Sequence, residues 1–188
     1  MVAVGRTRHF LIAVVVIASA CDSGGIDRGR PLRNAQDVAE NSTAAAGCHS
    51  AILGNADARW RQRSTVVGNL GFYGPNRDFR QALRSGKGGD LITKMPVIIE
   101  GNSGATVWVP RVERDRVALL FGPIPTGDVY RIEDGHAKVR FKPCTGRKRT
   151  GWVGGLVLHD RRPVALKVRL AGANQIHTVV LGRLPANT

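Results

Sequence analysis

Beyond Cys48 the chain is written in short apolar, β-branched runs, each cut by glycine, proline, asparagine or aspartate. Amphipathic helices need ten or more residues of 3.6-residue periodicity, and that rhythm gives them little room. It predicts short strands joined by tight turns. The candidate strands are 64–72, 95–100, 105–109, 116–121, 128–133, 136–142, 151–158, 164–170 and 176–181. About nine strands at roughly ten-residue spacing predict an all-β domain, a single antiparallel β-sandwich or a small barrel. The 23 glycines and the scarcity of aromatics, at 5%, suit such a fold.

Turn chemistry supports the strand boundaries. Gly101-Asn102-Ser103-Gly104 joins two apolar runs, and residues 160–162 join two more. Asp134-Gly135 is a strong hairpin signal between 128–133 and 136–142. Residues 74–94 break the rhythm. They read as a long surface loop carrying a short helix at 78–84, followed by the glycine-rich stretch 85–89.

The N-terminus reads as an address. Arg6 and Arg8 precede an almost wholly apolar run at 10–20, which ends in small residues. A basic start, a short apolar stretch and small residues are the parts of a secretory signal. Cys21 follows directly on Ile17-Ala18-Ser19-Ala20. This resembles the lipobox of bacterial lipoproteins, although Ala18 stands where that family usually has leucine. The resemblance implies diacylglycerol on the Cys21 thiol and cleavage before it, and two acyl chains meet the condition for stable anchoring. Ordinary cleavage after Ala20 would instead release a secreted protein. Residues 22–47 hold Asp-Ser-Gly-Gly, Arg-Gly-Arg-Pro and Ser-Thr-Ala-Ala-Ala-Gly with few large apolar residues, a composition that buries too little surface to offset ordering. The expected organisation is a signal peptide at 1–20, a lipidated cysteine and flexible tether at 21–47, and a basic β-sandwich domain at 48–188.

Outside the membrane two thiols in one small domain commonly pair. Cys48 and Cys144 are therefore expected to form a disulfide, provided that their Cα atoms approach within about 7 Å.

Trp60 with Ser64-Thr65-Val66-Val67-Gly68, then Gly71-Phe72-Tyr73-Gly74, form one group of short motifs. Lys94-Met95-Pro96-Val97-Ile98-Ile99-Glu100-Gly101 and Thr106-Val107-Trp108-Val109-Pro110 form a second, joined by Cys144 and Gly154-Gly155. Over residues 48–184 these motifs resemble uncharacterised secreted proteins and lipoproteins of actinobacteria. The resemblance implies an envelope location and a β fold, and brings no activity with it. That group often has a further cysteine near Pro163-Val164, absent here, which leaves the partner of Cys144 open.

Catalytic and cofactor signatures are not legible. His49, His136, His159 and His177 lack metal-ligand spacing, and no Cys-x-x-Cys, Gly-x-Ser-x-Gly or phosphate-loop ending occurs. No catalytic residue, metal ligand or cofactor is assigned.

Charge supplies the functional lead. Lys and Arg number 28 against 14 Asp and Glu, a formal net charge of +14. Such a chain associates with polyanions, and salt weakens that association. Alternation sharpens the expectation. In 136–142 the apolar Ala137, Val139 and Phe141 face one way, leaving His136, Lys138, Arg140 and Lys142 on the other. In 164–170 Leu166, Val168 and Leu170 face in and Lys167 and Arg169 face out. Arg147, Lys148, Arg149, Arg161 and Arg162 lie between them. If 136–142, 151–158 and 164–170 form a meander, this charge shares one face or its rim.

The expected function is a non-enzymatic envelope lipoprotein domain that binds or scaffolds at the outer face of the membrane. It is held there by its lipid anchor and contacts anionic lipid or wall polymer through the basic face. One alternative is an accessory or sensory subunit docking to a membrane protein partner. Another is an envelope hydrolase with dispersed catalytic residues. Nucleic acid suits the charge, but Trp60, Trp108 and Trp152 are not interleaved with the basic strands as stacking platforms, and export to the envelope lowers that option.

Overall fold

Glycine and proline cut the chain into pieces mostly of four residues, and those pieces set the architecture. The computed structural model describes residues 43–52, 59–74, 79, 82–122 and 127–182. The signal peptide, Cys21 and tether residues 22–42 lie outside the described residues. Among those described, thirteen strands form three sheets. They are β1 (Thr43–Ala46), β2 (Ser64–Val67), β3 (Leu70–Tyr73), β4 (Leu83–Arg84), β5 (Leu91–Lys94), β6 (Val97–Glu100) and β7 (Ala105–Trp108). Then follow β8 (Val117–Leu120), β9 (Lys138–Phe141), β10 (Arg149–Trp152), β11 (Gly155–Leu158), β12 (Val164–Leu170) and β13 (His177–Leu181). The first sheet has the order β1-β9-β7-β12-β13, the second β10-β6-β3-β2 and the third β4-β5-β11-β8.

The fold is all-β, as expected, but it is not a single nine-strand sandwich, and no sheet among the described residues closes into a barrel. Nor is it wholly antiparallel, since β1 runs parallel to β9. Two expected strands are each two. In 64–72, Gly68 takes φ 55° and turns the chain back, so β2 and β3 form a hairpin. In 151–158 the chain leaves the second sheet after Trp152 and enters the third at Gly155. No side chain fits at the two glycines of that crossing. A Cβ on Gly154 would lie 2.2 Å from Phe121 Cδ1, and one on Gly155 would lie 1.9 Å from the Thr93 carbonyl oxygen.

Residues 128–133 are not a strand, and Asp134-Gly135 is not a hairpin turn. Ile132–Asp134 is a 3-10 turn. Side chains and loops take the backbone groups that a ladder would use. Ser85 Oγ accepts from the Tyr130 N–H, Asp90 Oδ2 from the Ile132 N–H and Asp134 Oδ2 from the Arg131 N–H. The 74–94 stretch is more than a loop, because it contains β4 and β5. Of the expected helix at 78–84, residues 78, 80 and 81 lie outside the described residues, and Leu83 and Arg84 form β4. The folded body begins by Thr43, earlier than Cys48, because β1 already belongs to the first sheet.

One aromatic group joins the three sheets. Phe141 comes from β9, Trp152 from β10 and Phe121 directly follows β8. Phe121 and Phe141 meet edge to face at 5.2 Å, and Phe141 and Trp152 are also 5.2 Å apart. All three are 1% exposed. Trp152 Nε1 donates to the Gly47 carbonyl at 2.9 Å, which holds the entry strand against this centre. Beside it Cys48 and Cys144 form a disulfide, their Cα atoms 4.9 Å apart. A smaller buried group, Trp60 with Ile98, has Val66 and Tyr73 packed against it.

Candidate functional site

The first sheet turns one side to the core and one to solvent. Register fixes which residues share a side, because directly paired residues point the same way. Val139 pairs with Val107, and Val107 with Val168. All three are at most 1% exposed, so this row faces the core. The rows on either side of it face out. In one, Arg140 pairs with Thr106 and Thr106 with Arg169. In the other, Lys138 pairs with Trp108 and Trp108 with Lys167. Thr43 and Thr178 extend this second row at its two ends.

The outer face thus carries four cations in two rows, with Trp108 and Thr106 between them. Strands about 4.8 Å apart place the two backbones of each cation pair about 10 Å apart, and the two rows are about 7 Å apart along the strands. Arg140 and Arg169 are exposed; Lys138, Lys167 and Trp108 are half-buried. Among the described residues no carboxylate forms an ion pair with any of the four. Lys167 Nζ donates to Thr178 Oγ1 at 2.7 Å.

An open depression of about 550 Å³ adjoins the arginine row. Arg140, Arg169, Thr106 and Lys142 line it, together with Asn102 and the segment 170–174. Lys142 is exposed at the end of β9. The depression is therefore cationic on two sides.

The expected basic residues divide into groups. Lys138, Arg140, Lys142, Lys167 and Arg169 come together here. They do so without a meander, since β7 lies between β9 and β12, β10 belongs to the second sheet and β11 to the third. Arg147 and Lys148 are exposed on the connection between β9 and β10. Arg149 enters the second sheet, where its Nε lies 3.7 Å from Glu100. Arg161 and Arg162 precede β12, at the opposite end from Arg169, about 20 Å away along the strand. Arg162 pairs with Asp160 at 2.6 Å, and Arg161 donates to the Ala82 carbonyl at 3.2 Å. His136 also departs from the outer face, bridging to Leu119 of β8.

Acids elsewhere are held by arginines. The hydrogen bond from Arg61 keeps the Glu100 carboxyl below its ordinary range, and Arg149 and Lys148 add to this. Arg162 does the same for Asp160, helped by Arg116. Burial pushes the His136 imidazole down.

Sequence reasoning missed Trp108 and Thr106. It set the tryptophans apart from the basic strands, whereas the sheet seats Trp108 between two lysines. The signal is long-range: β7 precedes β9 by some thirty residues in the chain, and only pairing reveals it as the neighbour of both basic strands.

His159 Nδ1 lies 3.1 Å from Asp90 Oδ1, but His159 is 71% exposed and the pair lies outside the depression. Ser85 is nearby in the chain, and its hydroxyl is engaged with the Asp90 and Tyr130 backbone. Among the described residues no three His, Cys, Asp or Glu side chains gather as a metal site would require. The chain matches no protein-family model, and no curated protein or solved structure matches it.

Proposed function

We propose that this is a non-enzymatic cell-envelope domain, exported and tethered through lipidated Cys21, that binds an anionic surface with the outer face of its first sheet. The observation that carries the reading is the register Lys138–Trp108–Lys167 beside Arg140–Thr106–Arg169. Four cations without described acidic partners on a flat face attract anions more strongly than scattered charge does. The Cys48–Cys144 bond supports export, since structural disulfides persist in oxidising compartments. The likeness to actinobacterial secreted β-domain proteins belongs to this proposal. A membrane tether raises the local concentration of envelope polyanions and lipid headgroups, so weak contacts suffice.

Docking to a membrane protein through an exposed tryptophan cluster gains less support, because Trp152 is 1% exposed and Trp108 is flanked by lysines. Co-sedimentation with liposomes, with and without anionic lipid, and with an anionic polysaccharide tests the reading. Retention by the anionic partners at low salt, falling steeply as salt rises, is expected. Equal retention by neutral and anionic partners contradicts it.

A further inference from the structure

The cation face is more ordered than general attraction to anions requires. Arg140 and Arg169 stand on opposite sides of Thr106 and line the same depression. Guanidinium groups suit a phosphate or carboxylate because their donors form a planar fork. Two arginine side chains reaching over a span of about 10 Å can converge on one such group above Thr106. Two residues along β7, Trp108 offers an apolar plane on the same face. The separation of about 7 Å between those rows is the span of one six-membered ring with its ester linkage. Lys138 and Lys167 then flank the ring rather than the anion.

We infer that this face binds a phosphate ester of a polyhydroxylated ring, as repeated in a phosphate-bearing anionic glycan. Arg140 and Arg169 clamp the phosphate, and Trp108 stacks on the ring. The inference rests on the anionic-surface reading above and names its ligand. Charge complementarity selects the phosphate. A single tryptophan selects one ring per repeat, where single-stranded nucleic acid takes successive aromatic platforms. Structural disulfides persist in oxidising compartments, and on the export reading above the protein meets the anionic glycans of the envelope. The depression is lined by Arg140 and Arg169 and not by Trp108, so it takes the phosphate end of the ligand while the ring lies beside it on Trp108.

Tryptophan emission provides the test. Trp60 and Trp152 are each 1% exposed, so a neutral quencher such as acrylamide reaches Trp108. The full chain is titrated with α-glucose 1-phosphate, with glucose and with inorganic phosphate. Saturable shielding by the sugar phosphate is expected, with glucose alone at least about tenfold weaker. Inorganic phosphate should compete without shielding. In R140Q/R169Q, whose side chains are exposed and whose thermal melt should be unchanged, affinity falls about tenfold or more. In W108L, titration calorimetry should find sugar phosphate and inorganic phosphate bound alike. No shielding by the sugar phosphate overturns the inference, as does equal shielding in R140Q/R169Q. Shielding by a single-stranded oligonucleotide or by anionic vesicles, without shielding by the sugar phosphate, also overturns it. If polysaccharide retention survives such a result, only the ligand assignment falls; if retention is absent too, the anionic-surface reading falls with it.

Discussion

At Gly71 a single methyl group decides whether the second sheet keeps its outer cover. A Cβ there would lie 2.3 Å from Trp60 Cζ3, and the Ser64 hydroxyl donates to the Trp60 carbonyl at 2.6 Å, fixing the backbone that carries the indole. G71A is expected to displace the ring at a cost of about 1–3 kcal/mol in chemical denaturation, as overpacking does. Charges act at this scale too. Glu100 and Asp160 have lowered pKa values, so their pairing stabilises above the ordinary carboxylate range and is lost as pH falls through their lower folded values. Both are partly exposed, so solvent screening keeps that contribution small. His136 has a lowered pKa, so the unfolded chain takes up its proton first. Stability should therefore fall as pH drops below the ordinary histidine value, and H136Q should flatten that part of a melting profile measured against pH. The sequence revealed the outward direction of Lys138, Arg140, Lys167 and Arg169 because alternation alone determines it. Trp108 and Thr106 stayed hidden because no local pattern says which strand lies between two others.

Elements were legible where a run was long and its punctuation unambiguous. Residues 164–170 are β12 without change, and 176–181 is β13 within one residue. Short or poorly branched strands escaped. β1 is Thr-Ala-Ala-Ala, a weak strand sequence that becomes a strand by pairing with β9. β4 has two residues. β10 and β11 read as one because the change of sheet at Val153-Gly154 depends on Phe121 and Thr93, both distant in sequence. The placement of β1 makes the disulfide matter. It closes a separation of 96 residues, worth about 4–5 kcal/mol in the chain-entropy treatment. C144S is expected to lower stability by about 2–5 kcal/mol in urea denaturation. Proteolysis of C144S should open first near residues 43–52, since the bond and the Trp152 contact at Gly47 fasten them there beside the β1–β9 ladder. Equal stability with and without reductant would show that the bond does not constrain the native chain.

The whole molecule depends on two surfaces, one hidden and one wet. The hidden one is Phe121, Phe141 and Trp152, where all three sheets meet. F141A should cost about 3–5 kcal/mol and weaken all three sheets together, seen as one cooperative but lowered transition. The all-β class was legible from composition and punctuation. The division into three sheets was not, because it is decided by which strands share that centre. The wet surface is the cation face of the first sheet, and a net charge of +14 by itself does not distinguish it from the rest of the exterior. Charge-matched variants do. K138Q/R140Q/K167Q/R169Q removes four cations from the face, and R147Q/K148Q/R161Q/R162Q removes four from elsewhere. Retention on an anionic polysaccharide across a salt gradient compares them at equal net charge. The first variant is expected to elute at much lower salt while the second stays close to the parent chain. Equal losses in the two would contradict it, since binding would then follow total charge and not the two rows around Trp108.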